Sequence, residues 1–184
     1  MDSISDGSEK VDGRLLVASP ALSDPNFFRA VVLILTHDDD GALGVVLNRS
    51  SDEPVEPHLP AWSDHLAYPP VVFVGGPVEP AVAIGLVRDA DPIDPTALEG
   101  VGLVDLAAEP GPDPAGPIRV FSGYAGWGAG QLENELEEGA WFVLPGLPED
   151  AFSDDPQALW PAVLRRQGGA LAMLANFPED PRLN

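Results

Sequence analysis

The chain has 184 residues, 45% hydrophobic and 21% charged, which is enough for one domain with a substantial core. Thirty Asp and Glu oppose nine Lys and Arg, a formal net charge of −21 that repels nucleic-acid phosphates and anionic lipid surfaces. With no cysteine there is no disulfide, thiolate metal site or cysteine nucleophile.

Residues 1–12 are short, polar and without periodicity, and are expected to be a disordered leader before a single domain at 13–184. The start, Met1 to Gly7, has neither a basic region nor an apolar one. The longest apolar run, Ala30 to Leu35, falls far short of the roughly 20 residues that span a bilayer. No membrane association and a cytoplasmic location are expected.

Arg14 to Ala18 reads as the first strand, stopped by Ser19-Pro20. Asp24-Pro25-Asn26-Phe27 has turn chemistry, because Asp and Asn bond their own backbone and Pro presets φ. Ala30 to Thr36 is an apolar, β-branched run suited to a strand covered on both faces. Ala42 to Leu47 returns as its hairpin partner after a loop of about five residues around Asp40-Gly41. The proline-rich stretch 51–70 predicts a loop with one short helix near Ala61 to Leu66. Val71 to Val74, Ala83 to Val87, Val101 to Leu106, Ile118 to Phe121 and Ala140 to Leu144 predict further strands. Short helices are expected over Gln131–Glu138 and from about Pro161 to Gln167, the second stopped by Gly168-Gly169. Strands outnumber helices without a βαβ rhythm, so the fold class is α+β, a compact single domain with a mixed sheet and a few short helices.

Candidate chemistry concentrates at a glycine-rich crease, Gly123-Tyr124-Ala125-Gly126-Trp127-Gly128-Ala129-Gly130, read as a tight strand-to-helix turn. Glycines leave backbone N–H groups unshielded, and a helix follows, an arrangement able to cradle a ligand. The spacing matches neither the dinucleotide nor the P-loop fingerprint. The alternative is architectural: the glycines let Tyr124 and Trp127 pack through a tight turn. A buried Tyr124 beside a partly accessible Trp127 is expected. The candidate ligand-binding set is Asn48, Arg49, Gly75, Gly76, Gly123, Tyr124, Gly126, Trp127, Gly128 and Gly130.

His37-Asp38-Asp39-Asp40-Gly41 lacks the anchoring acids of a calcium loop and reads as a solvated hairpin tip. His58 and His65, seven apart, have no metal-ligand spacing. Glu133, Glu135, Glu137 and Glu138 read as a wet helix face opposite Leu132 and Leu136. There is no G-x-S-x-G elbow, basic helix or zinc finger. No catalytic residue, metal site or cofactor is therefore assigned, and direct nucleic-acid binding is not expected.

Several strings in order resemble the YqgE/AlgH family. They are Leu15 to Pro20, Asp24 to Phe27, Gly41 to Arg49 and Gly75-Gly76-Pro77-Val78, followed by Gly123 to Gly128, Gly130 to Glu133, Gly139-Ala140-Trp141 and Phe177 to Pro181. The resemblance runs from about Gly13 to Asn184. It implies a bacterial, cytosolic protein with a compact α+β fold and coiled mixed sheets. The family is biochemically uncharacterised, although some members carry the label of transcriptional regulator, and it brings no catalytic residues. Residues and resemblance together lead to a non-catalytic regulatory or adaptor protein acting through a protein partner or a small ligand. The alternative is an enzyme acting on a small metabolite beside the crease.

Overall fold

The computed structural model describes residues 9–111 and 116–180. Ten strands form one highly curved sheet: β1 (Leu15–Ala18), β2 (Val31–Asp38), β3 (Gly41–Val46), β4 (Ser50–Pro54), β5 (Val71–Val74), β6 (Val78–Arg88), β7 (Asp94–Pro95), β8 (Val101–Val104), β9 (Ile118–Gly128) and β10 (Trp141–Leu144). Among the described residues, four short α-helices accompany them, α1 (Gln131–Glu137), α2 (Pro148–Ala151), α3 (Leu159–Gln167) and α4 (Gly169–Leu174), with 3-10 turns at Pro60–His65 and Pro156–Ala158. The strand order is β10-β1-β2-β3-β9-β6-β8-β7, with β4 paired to β5. All pairs are antiparallel except β5 on β9, so the sheet is mixed and the α+β class holds. No helix among the described residues is long and apolar enough to cross a membrane.

The continuous apolar runs of β1 and β2 follow from burial on both faces. Leu15, Val17, Val31 and Leu33 join one core with Phe73, Phe121 and Trp160. Leu16, Ala18, Val32 and Ile34 join another with Trp127, Leu132 and Trp141. In α3 the indole of Trp160 donates to the Ala18 carbonyl at 2.9 Å, tying the helix to β1. Pro161 lies in the first turn of α3, where its missing N–H is no loss, so the helix begins at Leu159 rather than at the proline.

Other boundaries differ from expectation for local reasons. The hairpin loop has two residues, not five, because Asp38 pairs with Gly41. Gly168 ends α3 as expected, but α4 starts immediately beyond it. The polar strand β4 lacks the apolar alternation that would have exposed it to sequence reading. The crease is not a turn. Residues 122–128 extend β9, whose first half pairs with β5 and β6 and whose second half pairs with β3. Val11, two residues before Gly13, is buried; residues 1–8 of the expected leader lie outside the described residues.

Among the described residues, Arg119 is the one fully buried arginine. It donates to the carbonyls of Tyr68 (2.6 Å), Ser153 (2.9 Å) and Ala151 (3.2 Å), and its guanidinium lies 4.2 Å from the Phe73 ring centroid. Burial pushes it down to about 10, with Asp154 acting in the opposite sense. It stays charged at neutral pH and ties two segments, the loop at Tyr68 and the end of α2 with Ser153 just beyond it, to the sheet interior.

Candidate ligand cleft

The crease is filled by its own backbone. Gly75 donates to the Ser122 carbonyl at 2.9 Å and accepts from Val46 at 2.8 Å. A Cβ on Gly76 would fall on the Tyr124 carbonyl, and one on Gly75 on the Gly123 carbonyl. Gly123, at φ 69°, would drive a Cβ to 2.7 Å from the Gly76 oxygen. These three glycines let two strand segments touch backbone to backbone. Gly126, Gly128 and Gly130 are exposed; the Gly128 amide is taken by the Gln131 side chain at 3.0 Å, and Gly130 precedes α1.

The two aromatic residues exchange their expected places. Trp127 is only 5% exposed. It stacks on Phe27 at 6.1 Å and meets Trp141 edge-on at 6.0 Å, and Phe27 and Trp141 are themselves 5.5 Å apart. Tyr124 is half-buried, with its hydroxyl donating to Glu79 at 2.9 Å on the surface; that bond holds its proton on to higher pH than usual.

The α1 face is also not simply wet. Glu135 Oε2 accepts both the Trp127 and Trp141 indole N–H groups, each at 2.8 Å, and Glu133 bonds His37 at 2.7 Å. His37 itself is buried, unlike the exposed Asp38 to Asp40 of the hairpin tip. The register shift between Ile34 and Thr36 inserts an extra residue, Leu35, and reverses the alternation of β2, turning His37 toward α1. His58 pairs with Glu53 at 2.7 Å while His65 meets the Trp62 ring, so the two histidines serve different contacts.

Asn48 and Arg49 part from the crease through their side chains. Arg49 keeps its backbone beside β5, its carbonyl accepting from Val74 at 2.8 Å. The Asn48 carboxamide accepts from the Val31 amide and donates to the Arg29 carbonyl, both at 2.9 Å. It thereby fixes Arg29, which sits at φ 54°, a left-handed conformation unusual for a side-chain-bearing residue. The Arg29 guanidinium lies 4.2 Å from the Trp160 ring centroid and donates to the Phe177 carbonyl at 3.0 Å. Arg49 donates to the carbonyls of Pro25 and Phe28 at 3.0 and 3.3 Å; burial lowers its proton affinity, and Asp24 partly restores it.

These groups border a cleft of about 240 Å³ completed by Phe28, Gln157, Trp160 and Glu179. A recess of about 60 Å³ adjoins it beside Pro20, Phe177 and Pro178. Phe28 and Phe177 are both exposed. Although the chain is so acidic, neither arginine forms an ion pair among the described residues; carbonyls and an indole face hold them. The arrangement can take an anionic group attached to a flat or apolar body.

Sequence reasoning found Asn48 and Arg49 but not Arg29, Phe28, Gln157 or Trp160. Arg29 lies two residues beyond the Asp24 to Phe27 turn, and that is its available signal. Trp160 lies in a helix whose start was obscured by Pro161. Four strings that carried the resemblance, around Pro20, Asp24 to Phe27, Asn48-Arg49 and Phe177 to Glu179, meet at this one end of the molecule.

The AlgH-like family, DUF179, matches residues 15–172. A UPF0301 protein of Streptomyces avermitilis is 51% identical over 182 residues, covering 94% of each chain. A crystal structure of a Corynebacterium diphtheriae protein superposes with a TM-score of 0.84 at 31% identity, over 92% of this chain and 93% of that one. The solution structure of the AlgH protein from Pseudomonas aeruginosa gives a TM-score of 0.66 at 26% identity, over 97% and 98% of the two chains. The chain belongs to the AlgH-like, UPF0301 family.

Proposed function

We propose that this protein is a non-catalytic, cytoplasmic regulatory or adaptor protein that works by binding, and that its site is the arginine cleft. The observation that carries the reading is the pair Arg29 and Arg49, held by carbonyls and Trp160 with no ion pair among the described residues, beside an open, partly aromatic cleft that Glu179 also borders. Both retain unspent N–H donors, and the Asn48 staple fixes the backbone beneath them. The ligand this chemistry suits is an acidic group next to a ring or an alkyl chain. It can belong to a protein segment or to a free metabolite. The glycine crease serves this reading as scaffold, since it sets the junction of β3, β5 and β9 from which Asn48 and Arg49 project.

The test is a thermal-shift series on the full chain with inorganic phosphate, benzoate, phenyl phosphate and a short Phe/Glu-rich peptide. A ligand at 100 times its Kd adds about 2.7 kcal/mol of stability. A shift produced by a ring-bearing anion and lost in both Arg29→Gln and Arg49→Gln supports the reading. Equal shifts in wild type and both variants, or none with any probe, refute it.

A further inference from the structure

Residues 9–14 and α1 border a cavity of about 360 Å³ that shares no lining residue with the arginine cleft and is within the size range of small-molecule sites. Its charged groups are Lys10, Arg14, Glu9 and Glu133; Val11, Leu136 and Val143 supply an apolar wall. Lys10 is the only lysine of the chain.

Arg14 makes no ion pair among the described residues, and its buried Nε has no hydrogen-bond partner. Glu133 is fixed more firmly. The Val11 amide donates to His37 Nδ1 at 3.1 Å, so Nε2 carries the ring proton and donates to Glu133 Oε1 at 2.7 Å. Its own backbone N–H and the His37 bond hold the Glu133 carboxyl below the usual carboxylate range, so it is ionised at neutral pH. The Glu133 carboxylate also lines the cavity.

The cavity therefore presents a cation and an anion that line the same space without pairing with each other. Lys10 and Arg14 balance Glu9 and Glu133, so a simple anion gains nothing from the cavity's net charge and is repelled by the −21 of the whole chain. A molecule bearing both charges meets neither obstacle. We propose that this cavity binds a zwitterion of amino-acid size, its carboxylate on Arg14 and Lys10, its ammonium on Glu133, and its side chain against Val11, Leu136 and Val143. This site is independent of the arginine cleft.

The experiment is calorimetric titration of the full chain with the twenty protein amino acids and with β-alanine, γ-aminobutyrate and 5-aminopentanoate, which step the charges apart. Each compound is used at about 10 mM, tenfold above a millimolar Kd. The expected result is binding by at least one zwitterion. Its N-acetyl and amide forms, which each lack one charge, should bind at least about tenfold more weakly, as should Arg14→Gln and Glu133→Gln. Should Glu133→Gln disturb folding through His37, Arg14→Gln and the blocked ligands still decide the matter. No binding by any compound, equal binding of the blocked forms, or unchanged binding in Arg14→Gln overturns the proposal.

Discussion

The carboxylate of Glu135 is the strongest test of how the crease is built. Its Oε2 atom accepts from two indoles, Trp127 and Trp141, that are 5% and 4% exposed. Glu135→Ala strands both donors in a nearly dry setting. An unsatisfied buried donor costs about 1–3 kcal/mol, so the loss for two donors should be about 2–6 kcal/mol. Glu135→Gln keeps a carbonyl acceptor without the charge, and should cost about 1–2 kcal/mol. The assay is urea denaturation followed by far-ultraviolet circular dichroism, with tryptophan emission recorded alongside. In the Trp127→Phe background, where one donor is already gone, the alanine change should cost at least about 1 kcal/mol less. A Glu135→Ala loss below about 0.5 kcal/mol, or full additivity with Trp127→Phe, would refute the shared-acceptor account. It would return Glu135 to the wet face that its helical spacing suggested.

The crease glycines should separate by position. Gly76→Ala drives a Cβ into the Tyr124 carbonyl and should cost at least about 4 kcal/mol, whereas Gly130→Ala, at φ 73° with open space around it, should cost about 1–2 kcal/mol by chemical denaturation. Acid stability should depend on Glu133. Its folded pKa lies below 4.5, so between that value and 4.5 the unfolded chain binds more protons; the stabilisation is complete above 4.5 and lost as pH falls through the folded value. Glu133→Gln should flatten that part of the stability–pH curve, measured by thermal melts from pH 3 to about pH 6.

Much of the fold was legible because burial on two faces writes an unmistakable run. Leu15 to Ala18 and Val31 to Ile34 are apolar at both parities, and each parity feeds a different core. The features that escaped are those decided by pairing. One bulge at Leu35 inverts the alternation of β2, and no local signal in Ala30 to Asp38 announces it. With the bulge, a histidine that read as part of a wet hairpin tip becomes the buried partner of Glu133. Likewise Glu133 and Glu135 have the spacing of a solvated face, and only the positions of His37, Trp127 and Trp141 reveal their bonds. Asn48 and Arg49 were visible at a strand end. Arg29 and Trp160, 131 positions apart, could be joined only by the fold.

The glycines and the arginines point to function in opposite ways. A glycine-rich string says that something must come close to the backbone, and a ligand and another strand leave the same mark. Here Gly75, Gly76 and Gly123 are met by each other's strands. Cations are more discriminating in a chain with 30 acids and 9 bases, since a carboxylate partner is rarely scarce on such a surface. Arg88 and Arg166 have found theirs in Glu149 and Asp150. Arg119 is committed to three carbonyls in the interior. Arg29 and Arg49 instead form no ion pair among the described residues, one being held by an indole face and a carbonyl, the other by two loop carbonyls with Asp24 acting only at longer range. Exposed ion pairs contribute only about 0–1 kcal/mol, so forgoing them sacrifices little stability while preserving two guanidiniums for an incoming anion. That balance favours the arginine cleft over the crease as the site of the binding proposed above.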